Sequence, residues 1–165
     1  MRNGSLIVLV GPPGSGKTVW AKRNQSGAVH ISQDDLIDAI TPAGFDHIYR
    51  PVYRAAEDAV AHAALRDGHT VIVDRTNRTR SHRRRWLEVA NQERCPAIAV
   101  VMSTSEELCR ERNAQRDGTC RLSDERMDRM FAALEPVQPD EGFAAIHTES
   151  IRLEEILHEH RHQMR

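Results

Sequence analysis

No apolar run in this sequence approaches the roughly 20 residues that cross a bilayer, so no membrane location is expected. Its first apolar segment, Leu6–Val10, is too short and too early for a secretory signal, and no small-residue cleavage site follows it. There are only three cysteines, Cys95, Cys109 and Cys120, with no metal-like spacing. An odd count without a framework fits free thiols in a reducing cytoplasm. The pattern Gly-x-Gly-x-x-Gly is missing, which disfavours a dinucleotide-binding fold. Internal repeats, linkers and low-complexity stretches are also missing. A formal charge of −1 gives no global sign of nucleic-acid binding, although a local face could still be basic. What remains is 165 residues, 39% hydrophobic and 28% charged, the profile of one ordinary globular domain over 1–165.

The apolar runs set the order of elements. Leu6–Val10 is five apolar residues ending at a glycine, as a buried parallel strand does. Residues 29–31, 70–74, 97–102 and 143–147 read as four further strands. Helices are expected over 17–24, 34–40, 52–67, 81–92, 105–116, 123–134 and 151–162. In the third, Val52, Ala56, Ala59, Val60, Ala63 and Ala64 suggest one small apolar face. Thr104-Ser105-Glu106-Glu107 has the form of a capping box. Trp86, accompanied by Leu87 and Val89, reads as core. Strands alternating with helices give an α/β fold: a parallel five-stranded sheet flanked by helices, with the first strand central. Residues 112–122, rich in arginine and broken by Gly118, read as a lid.

The strongest motif is Gly11-Pro12-Pro13-Gly14-Ser15-Gly16-Lys17-Thr18. It fits Gly-x-x-x-x-Gly-Lys-Thr and lies between an apolar strand and a helix, the context the motif requires. Its glycines let successive N–H groups turn toward phosphate oxygens, and the helix N-terminus adds positive charge. Lys17 reaches the β- and γ-phosphates of a triphosphate such as ATP, and the Thr18 hydroxyl is placed for Mg²⁺. Kinases, GTPases and motors share such loops, so the remaining residues must decide between them.

A kinase also needs a carboxylate to orient the acceptor hydroxyl and take its proton. Ser32-Gln33-Asp34-Asp35 follows the second strand, where the crevice of such sheets lies. Asp34 could equally cap the next helix. The segment Ile31-Ser-Gln-Asp-Asp35 resembles the general-base segment of the P-loop polynucleotide 5′-hydroxyl kinases. The resemblance implies Asp34 as catalytic base; Asp35 is the less favoured candidate for that role and is expected to contact the acceptor. Phage members carry an arginine three residues after the base, where this chain has Ile37; animal members also lack it.

Asp74 ends an apolar strand in Val73-Asp74-Arg75-Thr76-Asn77, where an acidic residue can hold Mg²⁺ directly or through water. The segment is similar to the Asp-x-Thr-Asn stretch of the same family. The family's later Arg-x-Arg-aromatic pattern is matched by Arg83-Arg84-Arg85-Trp86. Arg78 to Arg85 is a basic block that could follow an acceptor's phosphates or be a solvated face. Asn77, Arg78 and Arg83 are the acceptor contacts this suggests. Arg112 and Arg116, four apart, share a helix face. They resemble the lid arginines of the phage and bacterial kinases, which implies contact with ATP phosphates or transition-state charge. Glu135-Pro136 and Glu141-Gly142-Phe143 resemble the end of the animal kinase domain and read as structural.

The combined expectation is a single nucleotide-kinase-like domain transferring the γ-phosphoryl group of ATP, with Mg²⁺, to a DNA or RNA 5′-hydroxyl. Lys17, Asp34, Arg112 and Arg116 are its catalytic residues. Two alternatives stand beside it. One is a kinase of a small acceptor, such as a nucleoside, a sugar acid or an antibiotic. The other is a non-catalytic nucleotide switch, for which an acceptor base at Asp34 has no use.

Overall fold

Leu6–Val10 forms the central strand β1, and its five residues are all buried. Alternate side chains leave opposite faces of a strand, so a strand covered on both sides must be apolar throughout. Leu6, Val8 and Val10 pack into one core with Val71, Val73, Leu65 and Trp86. Ile7 and Leu9 pack into the other with Trp20, Ile72, Ile98 and Ile156. The computed structural model describes residues 4–163.

Four further strands complete the sheet: β2 (Ala28–Ser32), β3 (Thr70–Asp74), β4 (Ala97–Val101) and β5 (Ala145–Thr148). Their order is β2-β3-β1-β4-β5, and every pairing is parallel. The helices are α1 (Lys17–Asn24), α2 (Gln33–Ile40), α3 (Arg50–Arg66), α4 (Arg80–Gln92), α5 (Glu106–Ala114), α6 (Asp124–Ala132) and α7 (Leu153–Gln163). The expected α/β architecture is therefore present, with the phosphate-loop strand at the centre. Among the described residues no helix is long and apolar enough to cross a membrane.

Two local expectations need correction. Helix α3 buries Tyr53, Glu57, Ala61, Ala64 and Leu65, while Val52 and Val60 are 48% and 38% exposed. The apolar stripe read from the sequence is thus turned mostly outward. The cause is polar: burying Tyr53 and Glu57 lets Tyr53 Oη meet Thr41 Oγ1 and lets Glu57 accept from two arginines. The cap of α5 is also displaced by one residue. Ser105, not Thr104, accepts from the Leu108 amide, and Thr104 is left for another task.

Candidate active site

Gly14 and Gly16 of the phosphate loop have φ of 81° and 95°, a region that side chains disfavour. At Gly14 a Cβ would also lie 2.5 Å from the Cys109 carbonyl oxygen, so α5 can pack against the loop only because no side chain is there. The loop is held from several directions. The Gly11 amide donates to the Thr76 carbonyl at 3.0 Å. Thr104 Oγ1 donates to the Ser15 carbonyl at 2.9 Å, which is the task that displaced it from the cap. Arg112 Nη1 donates to the Gly14 carbonyl at 3.1 Å. Ser15 Oγ closes the turn on the Pro12 carbonyl at 2.7 Å. Helix α1 has Gly16 at its N-cap and no side-chain cap, so its first amides remain available to an anion.

Lys17 is buried and folds back onto the loop, donating to the Pro12 carbonyl at 2.7 Å. Burial pushes its pKa down to about 8, against the pull of Asp74. Thr18 is exposed on the first turn of α1. Asp74, at the end of β3, is 7% exposed, and one of its oxygens lies 3.3 Å from His30 Nε2. A hydroxyl and a carboxylate are hard oxygen donors of the kind Mg²⁺ takes, so Thr18 and Asp74 fit that ion.

Beside this loop runs a cleft of about 2050 Å³, larger than the ~300–1,000 Å³ pocket of one small ligand. Lys17, Thr18, Asp34, Asp74, Arg112 and Arg116 all line it. Register explains the meeting of the two carboxylate segments: Ser32 pairs with Asp74 across β2 and β3. Ser32 then caps α2 by accepting from the Asp35 amide, which settles the cap and leaves Asp34 uncommitted. Partial burial raises the Asp34 pKa, Asp74 raises it further, and Arg116 opposes both. Arg116 also lowers the Lys17 pKa, so its charge is felt on both sides of the cleft.

The other sequence-derived contacts separate. Arg78 lines the cleft; Asp35, about 100° further round α2, does not. Asp38, one turn beyond Asp34, lines it as well. Arg83 is 0% exposed and bidentate to Glu141 at 2.6 and 2.7 Å, and it also donates to the carbonyls of Asn77 and Glu135. It is a latch between α4 and the tail, not an acceptor contact. Asn77 borders the cleft, but its side chain is used internally. It donates to the Leu9 carbonyl at 2.7 Å and accepts from Trp86 Nε1 at 3.1 Å. Its φ of 44° is one that asparagine tolerates better than most residues. Both expectations fail because burial, not charge, decides what these groups touch. Thr104, Glu57 and Arg75 were not found from the sequence. Thr104 resembled a cap, and Glu57 and Arg75 sit in segments whose pattern shows no pairing.

One sequence relative, two solved structures and a family model resemble this chain. A bifunctional polynucleotide phosphatase/kinase of Schizosaccharomyces pombe is 26% identical over 113 residues, which is 67% of this chain. The chain spans only 24% of that relative's length. A kinase-like protein of Chloroflexus aurantiacus superposes with a TM-score of 0.74 at 18% identity, over 99% of this chain and 97% of the other. The APS kinase CysC of Mycobacterium tuberculosis, solved with AMPPNP and APS, gives 0.63 at 18% identity over 99% of each chain. The two structures share the fold. A model of the AAA domain family matches residues 6–137, and the chain accordingly belongs to that family, AAA_33, with the fold of the P-loop kinases.

Proposed function

We propose that this P-loop kinase domain phosphorylates the 5′-hydroxyl end of a polynucleotide, using ATP and Mg²⁺. The carrying observation is Asp34: a carboxylate uncommitted to capping, lining the same cleft as Lys17, and raised in pKa by burial and by Asp74. The sequence relative that names polynucleotide as substrate supports the acceptor class. So does the basic wall of the cleft, which includes Arg54, Arg75, Arg78 and Arg85.

In the reaction, loop amides and Lys17 hold the β- and γ-phosphates. The Lys17 ammonium must leave the Pro12 carbonyl to do so. Thr18 and Asp74 would hold Mg²⁺, which when bound would supply charge neutralisation at the phosphates. Asp34 accepts the proton of the acceptor hydroxyl. The acceptor oxygen bonds to the γ-phosphorus while the bond to the β–γ bridging oxygen breaks, and ADP leaves. Arg116 and Arg112 stabilise the equatorial oxygens from the α5 side.

The competing reading is a small-molecule acceptor. It draws on Ile37, which is 8% exposed and offers no cation where phage polynucleotide kinases carry one. One assay separates the two: γ-labelled ATP with 5′-hydroxyl oligonucleotides and, separately, a panel of nucleosides, sugar acids and aminoglycosides. Label on the oligonucleotide supports the proposal, and label on small compounds alone overturns it.

A further inference from the structure

Glu57 is fully buried on the inner face of α3, a position where a charge is costly unless it is paired. Its Oε2 accepts from Arg75 Nη1 at 2.5 Å and from Arg85 Nη1 at 2.9 Å. Its Oε1 is buried without a hydrogen-bond partner. A carboxylate left half satisfied in this way contributes little to stability. Its evident consequence is to fix two guanidinium groups in place.

Those two arginines are not equivalent. Arg85 is committed on every nitrogen: Nη1 to Glu57, Nε and Nη2 to Asp58, and Nη2 also to the Arg54 carbonyl. Arg75 is bonded only through Nη1, and no partner is seen for Nε or Nη2 among the described residues. Its side chain is 22% exposed and lines the cleft. Further positive charge surrounds it. Arg85 shares the same Glu57 oxygen, and Arg54 adjoins Arg85 through its carbonyl. Burial lowers the His82 pKa, followed by the charges of Arg78, Arg75 and Arg54, so with Arg85 four arginines crowd one small region. Glu57 and Asp58 answer Arg75 and Arg85, and Glu135 lies on the Arg78 side near His82. Arg78, on the same wall, has a buried Nε with no partner. Such a wall is short of an anion.

Topology says which anion. Arg75 directly follows Asp74 on β3, the strand between β1 with its phosphate loop and β2 with its Asp34 segment. Arg112 and Arg116 follow β4, on the other side of β1. The cations on the β4 side serve the donor; those after β3 lie on the acceptor side.

We propose that Arg75, braced by Glu57 and supported by Arg78, forms a subsite for the first phosphodiester of the acceptor strand. Glu57 is the positioning residue. The inference rests on the polynucleotide reading, because a nucleoside or sugar acid brings no such group.

The test uses the full chain with γ-labelled ATP and a 5′-hydroxyl single-stranded oligonucleotide. Arg75→Gln is expected to raise the acceptor KM at least tenfold while the ATP KM stays within twofold. The log–log slope of acceptor affinity against salt should flatten by ~0.7, the value of one lost phosphate contact on a single strand. Glu57→Gln, which keeps the shape and one acceptor oxygen, should raise acceptor KM less and leave the salt slope near that of the wild type. Thermal melting and ADP binding verify that each variant is folded. Oligonucleotide phosphorylation by wild type with unchanged acceptor KM and salt slope in a folded Arg75→Gln overturns the subsite and leaves the polynucleotide reading standing. Wild-type label on small compounds alone overturns that reading and the subsite with it.

Discussion

Asp34 and Lys17 are two cleft residues whose protonation bears on the proposed reaction. A general base works only as the carboxylate. Since burial and Asp74 raise the Asp34 pKa, the acidic limb of kcat/KM for the acceptor should lie above the ~3.9 of an ordinary aspartate. Activity falls as pH drops through that raised value, and a limb at or below the ordinary value would remove Asp34 as base. Asp34→Asn retains the shape but cannot take the proton. Turnover should fall by ~10²–10⁴, the usual contribution of such a base, while ADP affinity measured by calorimetry changes little. Unchanged turnover in this variant would refute the assignment. At this scale the sequence was legible where geometry is local. Residues 11–18 carry their own turn and helix start, and Asp34 follows a strand end. It was not legible where a side chain's partner comes from far along the chain. Arg83 and Glu141 are 58 residues apart, and nothing in a basic run says which arginine will be buried.

Elements were placed well by apolar runs and less well by faces. Strands β1 and β3 have the expected bounds because a strand buried on both sides must be apolar from end to end. Helix α3 was misread because small apolar residues occur around most of it. Its orientation is set by Tyr53 and Glu57, whose value lies in contacts with Thr41, Arg75 and Arg85 that periodicity cannot display. Helix α4 is tied to the tail by the Arg83–Glu141 pair, with side chains 0% and 1% exposed. Removing one partner leaves a buried charge alone, so Arg83→Ala should cost about 3–5 kcal/mol of unfolding free energy in urea titration. Kinetics below the melting temperature should retain the wild-type acceptor KM, because the guanidinium never reaches the cleft. A raised acceptor KM in a folded Arg83→Ala would restore Arg83 as an acceptor contact. The pair also has a pH signature. Glu141 titrates below its ordinary range: burial alone would raise it, but the hydrogen bond and charge of Arg83 prevail. A carboxylate lowered by folding stabilises fully above its unfolded pKa, ~4.3, and that stability is lost as pH falls through the lower folded value. The wild type should therefore lose more stability than Arg83→Ala on acidification through that range.

The whole molecule divides one cleft by strand order. In the proposed reaction, donor groups come from β1, α1 and the β4 side, and acceptor groups from β2, β3 and α3. The donor half is built in advance, with the loop carried by Thr76, Thr104 and Arg112, whereas Lys17 must exchange the Pro12 carbonyl for phosphate. Nucleotide should therefore stabilise the entire domain by mass action, about 2.7 kcal/mol at a hundredfold excess over Kd. For a domain of this size that is a rise of roughly 5–10 °C in Tm. The rise should depend on pH in a defined direction. Free Lys17, with a pKa of about 8, is mostly charged at pH 7 and mostly neutral at pH 9. Binding the triphosphate requires the charged form, so at pH 9 part of the binding free energy goes into taking up a proton. Affinity should fall toward tenfold per pH unit above 8, or about 1.4 kcal/mol per unit. The melting shift should shrink by several degrees between pH 7 and pH 9 at fixed nucleotide. Lys17→Met, which has no proton to gain, should show a small shift that does not vary over the same interval. A wild-type shift independent of pH would mean that Lys17 does not meet the phosphates as its place in the loop requires.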